Sequence, residues 1–160
     1  MGDMFTTQSA EETEWVGRLL ASCLQAGDVI ALSGDLGAGK THLVQGVASG
    51  LGVDGAVTSP TFNILLVHAG RLPLYHLDLY RLDDPAQLED IDFYATLEGD
   101  GVSFIEWGDR FPDELPADHL LVEISRLSET GRDFRLTPGG PRSAEVASAW
   151  SRAVHEGAGR

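Results

Sequence analysis

The sequence predicts one α/β domain with a mixed central β-sheet: antiparallel hairpins added to a parallel core, flanked by helices. Three observations carry that prediction. Asp28 to Leu32 is a strand apolar on both faces, as buried parallel strands are. It runs straight into a glycine-rich loop and an amphipathic helix ending near Gly50. Further along, two pairs of apolar runs flank short turns, the pattern of hairpins.

The elements follow in order. Phe5 to Ser9 reads as a short β segment, and Ser9 or Thr13 is placed to cap the helix after it. Trp15, Val16, Leu19, Leu20, Cys23 and Leu24 recur at helical spacing, and Ala26-Gly27 is the expected stop. The strand to Leu32, the loop Ser33 to Gly39 and a helix from Lys40 come next. Gly52 to Pro60 reads as a loop. Phe62 to His68 and Leu72 to Leu79 form a hairpin around Ala69-Gly70-Arg71. The acidic stretch Leu82 to Asp92 holds a short helix, and Val102 to Ile105 is a buried strand. Arg110 to Pro116 reads as a turn. His119 to Ile124 and Phe134 to Thr137 make a second hairpin around Glu129-Thr130-Gly131. Pro138-Gly139-Gly140-Pro141 marks the end of the main domain, residues 1–140. Residues 141–160 are expected as a tail with a helix over Ser143 to Val154.

Composition bounds the function. A chain of 160 residues fits one domain. Acidic residues outnumber basic ones 25 to 11, for a net charge of −14. That balance argues against strong direct binding of tRNA or any nucleic acid, which takes basic stripes that displace counterions. It also argues against electrostatic attachment to a membrane. Cys23 is the single cysteine, so an internal disulfide and a cysteine-based metal cluster are excluded. No signal peptide and no apolar run of membrane-spanning length is visible, and a reduced, cytoplasmic setting is the expectation.

Glycine is abundant, 19 of 160 residues, and its placement is informative. Gly34-Asp35-Leu36-Gly37-Ala38-Gly39-Lys40-Thr41 fits G-x-x-x-x-G-K-[ST]. Such a loop turns backbone N–H groups inward around a β-phosphate, and glycine tolerates the positive φ this needs. The N-terminus of the next helix adds partial positive charge. Lys40 is then suited to bridge β- and γ-phosphates, and the Thr41 hydroxyl to contact Mg²⁺. Strand before and helix after supply the required context, so the chain reads as a single-domain P-loop NTPase.

Phosphoryl chemistry at such a loop takes a metal-binding carboxylate and a water-orienting group. Two acids end apolar strands: Asp78 after Leu74-Tyr75-His76-Leu77, and Glu106 after Val102-Ser103-Phe104-Ile105. Spacing leaves open which contacts Mg²⁺ and which orients water. Asp83, Asp84, Glu89, Asp90 and Asp92 read instead as a solvated face. Ser59-Pro60-Thr61-Phe62 is either a γ-phosphate sensor or a plain turn fixed by Pro60.

Taken together, the glycine loop, Thr58-Ser59-Pro60-Thr61-Phe62, His76-Leu77-Asp78-Leu79-Tyr80-Arg81-Leu82 and Ile105-Glu106-Trp107 resemble, in order and spacing, the TsaE family. The resemblance spans about residues 5–137. It implies a small Mg²⁺-dependent ATPase of bacterial tRNA threonylcarbamoyladenosine biosynthesis. The implied partners are TsaB and TsaD, which transfer the threonylcarbamoyl group; ATP binding and hydrolysis would reset that pair between turnovers. It also implies that Thr41 and Glu106 contact Mg²⁺ and that Asp78 completes the metal site through metal-bound or attacking water. Lys40, Asp78, Glu106 and the switch residue Thr61 form the catalytic set. The nucleotide-binding set is Gly34 through Thr41 with His42, Ala10 near the adenine, and Arg132 reaching in from the second hairpin. Trp107 is a family signature, read evenly as packing or function. His42 stands where many P-loops carry a second hydroxyl, and Ile91-Asp92-Phe93-Tyr94 departs from the family's glycine- and leucine-rich stretch.

A small-molecule P-loop kinase is the alternative, with Arg81, Arg110 and Arg132 as phosphate clamps, but no lid insertion is visible. A GTPase needs an Asn-Lys-x-Asp segment, and Asn63 is the single asparagine.

Overall fold

The structure, a computed structural model, describes residues 3–34, 39–53, 65–80, 82–107 and 111–157. The chain runs β1 (Asp3–Thr7), α1 (Ala10–Ala21), β2 (Val29–Ser33), α2 (Lys40–Gly50), β3 (Leu65–His68), β4 (Leu74–Asp78), α3 (Ala86–Asp90), α4 (Phe93–Leu97), β5 (Val102–Glu106), β6 (Leu120–Arg126), β7 (Arg132–Pro138) and α5 (Pro141–Gly157). A 3₁₀ turn, Pro112–Glu114, falls where the sequence predicts a turn.

The seven strands form one sheet in the order β1-β7-β6-β2-β5-β4-β3. Strands β6, β2, β5 and β4 are parallel neighbours. The hairpins β3–β4 and β6–β7 and the pair β1–β7 are antiparallel. This is the mixed sheet expected from the sequence. Strand β2 sits inside the parallel core with a partner on each side, which is why Val29 through Leu32 are all buried.

Strand alternation sends residues to two cores. Ile30, Leu32, Phe104, Val122 and Phe134 face α1, α2 and α5. Val29, Leu77, Leu79 and Ile105 face the other way, against Leu88 of α3 and Phe93 and Leu97 of α4. The second short helix, α4, is absent from the sequence-based expectation.

Helix α1 is capped by Ser9, whose side chain accepts from the Glu12 N–H at 3.1 Å. Thr13 instead exchanges a buried 2.8 Å hydrogen bond with Thr7. The helix ends at Ala21, several residues before the expected stop. Ser22 turns out of it, and its hydroxyl donates to the Leu19 carbonyl at 2.7 Å. Cys23 and Leu24 lie beyond the helix, and the buried Leu24 extends the apolar pattern through a turn. Helices α1 and α2 approach at glycines: a Cβ on Gly46 would stand 2.1 Å from the Glu14 carbonyl oxygen, and one on Gly17 2.5 Å from that of Leu43.

The segment after residue 140 does not trail from the domain. Helix α5 packs on β1, β7 and α1, and its Val146, Ala147, Trp150 and Val154 belong to the main core. Trp150 is fully buried, donates from Nε1 to the Val16 carbonyl at 2.8 Å and meets Phe5 edge-on, with ring centroids 5.1 Å apart. Asp118 anchors the start of the helix by accepting from the Arg142 and Ser143 N–H groups at 2.9 Å each. No helix among the described residues is long and apolar enough to cross a membrane.

Candidate nucleotide site

The carboxyl ends of the parallel strands assemble the site, the usual place for ligands in open α/β sheets. Strand β2 ends at Ser33 and leads into Gly34, β4 ends on Asp78, and β5 ends on Glu106. Parallel register pairs Leu32 with Glu106 and Glu106 with Asp78. Residues in register share a face of a sheet, so both carboxylates project toward the α2 side. Lys40 opens α2 on that side.

Lys40 and Glu106 are both buried, and the Lys40 ammonium lies 3.6 Å from Glu106 Oε1. Lys40 also donates to the Gly34 carbonyl at 2.9 Å and lies over the Trp107 ring, 5.2 Å from its centroid. The second oxygen, Glu106 Oε2, is 2.6 Å from His76 Nε2. Burial pushes the Glu106 pKa up. The His76 hydrogen bond, the His76 and Lys40 charges and the Lys40 contact outweigh it, leaving the pKa below its ordinary value. A carboxylate held ionised accepts only, so His76 Nε2 carries the proton in that bond.

Asp78 is half-buried and accepts at Oδ1 from the Tyr80 N–H at 3.0 Å. Burial is the main reason its pKa is raised. The Tyr80 bond and the His76 and Lys40 charges pull it down, and the Glu106 charge adds to the rise. The two strand-end acids thus sit in opposed electrostatic states. Trp107 follows Glu106 in a left-handed conformation (φ 63°), uncommon for a bulky residue. That turn brings its ring to Lys40 and to the largely exposed Tyr80, with ring centroids 5.0 Å apart.

Gly39 caps α2 with φ 108°. A Cβ there would come within 3.6 Å of Arg132 Cγ, so the Arg132 side chain runs along the end of the glycine loop. Its Nη1 donates to the Gly131 carbonyl at 2.8 Å and the Ser128 carbonyl at 3.2 Å, holding it against the hairpin tip. Arg132 pairs in register with Thr7, and Ala10 begins α1 just beyond. Thr41 is half-buried in the first turn of α2, and His42 beside it is exposed. Asp35, Leu36, Gly37, Ala38, Thr61 and the rest of Ser59-Pro60-Thr61-Phe62 lie outside the described residues, as do Arg81 and Arg110.

The donor set suits a hard cation. The Thr41 hydroxyl and the Glu106 and Asp78 carboxylates offer oxygen, which Mg²⁺ prefers to nitrogen or sulfur. Among the described residues no cluster of three His, Cys, Asp or Glu could hold a metal. A buried lysine paired with a carboxylate beside a helix N-terminus is ready to exchange that partner for phosphate.

Sequence reasoning quoted His76 without giving it a task. The available signal was spacing: it lies two residues before Asp78, hence on the same face of β4.

Comparison with known proteins identifies the family. The profile of the family described as "Threonylcarbamoyl adenosine biosynthesis protein TsaE" matches residues 7–134. The chain is 39% identical over 147 residues to the tRNA threonylcarbamoyladenosine biosynthesis protein TsaE of Bacillus subtilis, covering 91% of this chain and 92% of that one. It is 49% identical over 125 residues to the protein of that name from Streptomyces coelicolor, covering 75% and 84%. The crystal structure of Bacillus subtilis YdiB superposes with a TM-score of 0.81 at 33% identity, covering 96% of each chain. The chain belongs to the TsaE family.

Proposed function

We propose that this chain is a Mg²⁺-dependent ATPase serving tRNA threonylcarbamoyladenosine biosynthesis. It binds and hydrolyses ATP to drive or reset a TsaB–TsaD transferase pair. The observation that carries the reading is the convergence of Lys40, at the start of α2, with Glu106 and Asp78 at the ends of β5 and β4, on the α2 side of the sheet. The names of the relatives supply the pathway.

The residues divide the work by their chemistry. The Lys40 ammonium leaves Glu106 for the β- and γ-phosphates, a charge-for-charge exchange. Glu106, ionised by its surroundings, and the Thr41 hydroxyl would hold a Mg²⁺ ion, which would supply neutralisation of the phosphate charge. Asp78, with its raised pKa, would orient the attacking water. Gly39 leaves the nucleotide room at the helix N-terminus, and Arg132 lies alongside. Thr61 is the switch residue of the site, and Ala10 lies on the adenine side. The acidic surface fits a role in which another subunit holds the tRNA.

The test is reconstitution. The purified chain, mixed with TsaB and TsaD, tRNA and the threonylcarbamoyl donor, should support multiple rounds of modification with ATP and not without it. Failure to join or stimulate the pair, with ATP consumption stimulated instead by an acceptor metabolite, would establish the kinase alternative.

A further inference from the structure

We propose that His76 is a positioning residue for the nucleotide site. Its Nε2–H holds Glu106 Oε2 and thereby leaves Oε1 as the oxygen presented to Lys40 and to an incoming Mg²⁺-nucleotide. The proposal rests on the ATPase reading above and adds to it the group that orients its key carboxylate.

The argument starts from burial. His76 is fully buried on β4, on the face whose neighbours include Leu74 and Phe104. In that apolar layer an aliphatic side chain would pack without desolvating a ring nitrogen. Among the described residues His76 Nδ1, which is buried, has no hydrogen-bond partner. The imidazole's one polar contact among them is the 2.6 Å bond to Glu106. A buried polar ring kept for one bond is costly in an apolar layer, and the bond explains its presence.

Register makes the bond possible. His76 is paired with Phe104, and Glu106 lies two residues further along β5 on the same face. Imidazole is long enough to span that diagonal and donate upward to the carboxylate. Both groups are buried, so the bond is charge-assisted and little screened. With Oε2 held by His76, Glu106 keeps one rotamer, and Oε1 lies 3.6 Å from the lysine that must meet phosphate. Groups that orient a metal-binding carboxylate from behind change metal affinity or activity by about 10- to 100-fold when removed.

The test compares His76→Gln, His76→Asn and His76→Leu in the full chain. Glutamine can place an amide N–H near the position of Nε2; asparagine is polar but too short, and leucine is apolar. Three quantities are read: the melting temperature, the Mg²⁺ needed for half-maximal binding of a fluorescent non-hydrolysable ATP analogue, and kcat with KM for ATP. His76→Asn and His76→Leu should need about tenfold more Mg²⁺ and lose about tenfold or more in kcat. Their Mg²⁺-free nucleotide binding should stay near wild type, and His76→Leu, which leaves buried Glu106 Oε2 without its donor, should melt lower. His76→Gln should recover to within about threefold of wild type. Placing His76→Asn in a Glu106→Gln background should add less than about twofold, because the two act as one unit.

An asparagine variant that titrates with Mg²⁺ like wild type, or a glutamine variant as impaired as asparagine, would overturn the proposal. If the leucine variant does not fold, the glutamine–asparagine contrast still decides it. A wild-type chain that binds the analogue with no response to Mg²⁺ would remove the ATPase reading and this proposal together. A responsive wild type with an equally responsive asparagine variant would remove this proposal alone.

Discussion

Lys40 Nζ stands 3.6 Å from Glu106 Oε1, joining the first residue of the P-loop helix to the end of a neighbouring parallel strand. Both groups are buried, so each depends on the other for compensation of its charge. The same ammonium donates to the Gly34 carbonyl and lies over the Trp107 ring.

The pair has a stability consequence. Lys40→Met keeps most of the apolar stem and removes the charge, leaving Glu106 with His76 alone. Unfolding in denaturant at neutral pH should show a loss of about 1–3 kcal/mol. An unchanged midpoint would mean that the pair contributes nothing to the fold.

Opposed carboxylate states predict opposed pH effects. The Glu106 pKa is depressed in the fold, so its contribution is present above the ordinary glutamate value and is lost as pH falls through the folded pKa. Glu106→Gln should therefore destabilise at neutral pH, with the difference shrinking in acid below pH 4.5. The Asp78 pKa is raised, so its ionisation in the fold is unfavourable above that raised value. Asp78→Asn should stabilise at neutral pH, with the gain vanishing as pH falls below the ordinary aspartate value of 3.8. Melting curves across pH check both signs; shifts of the same sign would contradict the account.

The α1–α2 crossing tolerates no side chain. Gly46→Val would place carbon against the Glu14 carbonyl, where even a Cβ stands at 2.1 Å. Overpacking against backbone costs about 1–3 kcal/mol or more. Circular dichroism melts should show it, and because α2 carries Lys40 at its start, nucleotide binding should weaken in parallel.

Helix α5 should behave as core. Trp150→Ala removes a fully buried ring that contacts Phe5 and bonds to Val16. A loss of about 3–5 kcal/mol is expected by chemical denaturation. Truncation after Gly140 should leave a chain without a cooperative unfolding transition; a truncated chain that melts like the full one would show α5 to be dispensable.

What the sequence discloses about this molecule follows where its signals are local. The β2–loop–α2 unit was legible because strand, glycine spacing and helix lie within one short stretch. Asp78 and Glu106 stood out because apolar runs lead directly into them. The end of α1 was not legible, since Leu24 continues the apolar period while belonging to a buried turn. Helix α4 is five residues long, too short for periodicity, and opens at Asp92 with φ 53°. The role of α5 depended on Trp150 meeting Phe5, residues at opposite ends of the chain. The bond from His76 to Glu106 was hidden for the same reason: it exists only once β4 pairs with β5.

The most direct test of the central claim is phosphate release from ATP by the wild-type chain and by Lys40→Ala, measured with Mg²⁺ and with EDTA. The account predicts slow turnover by the wild type, dependent on Mg²⁺ and governed by TsaB and TsaD, and none above background for Lys40→Ala. Equal phosphate release by the two proteins would contradict it.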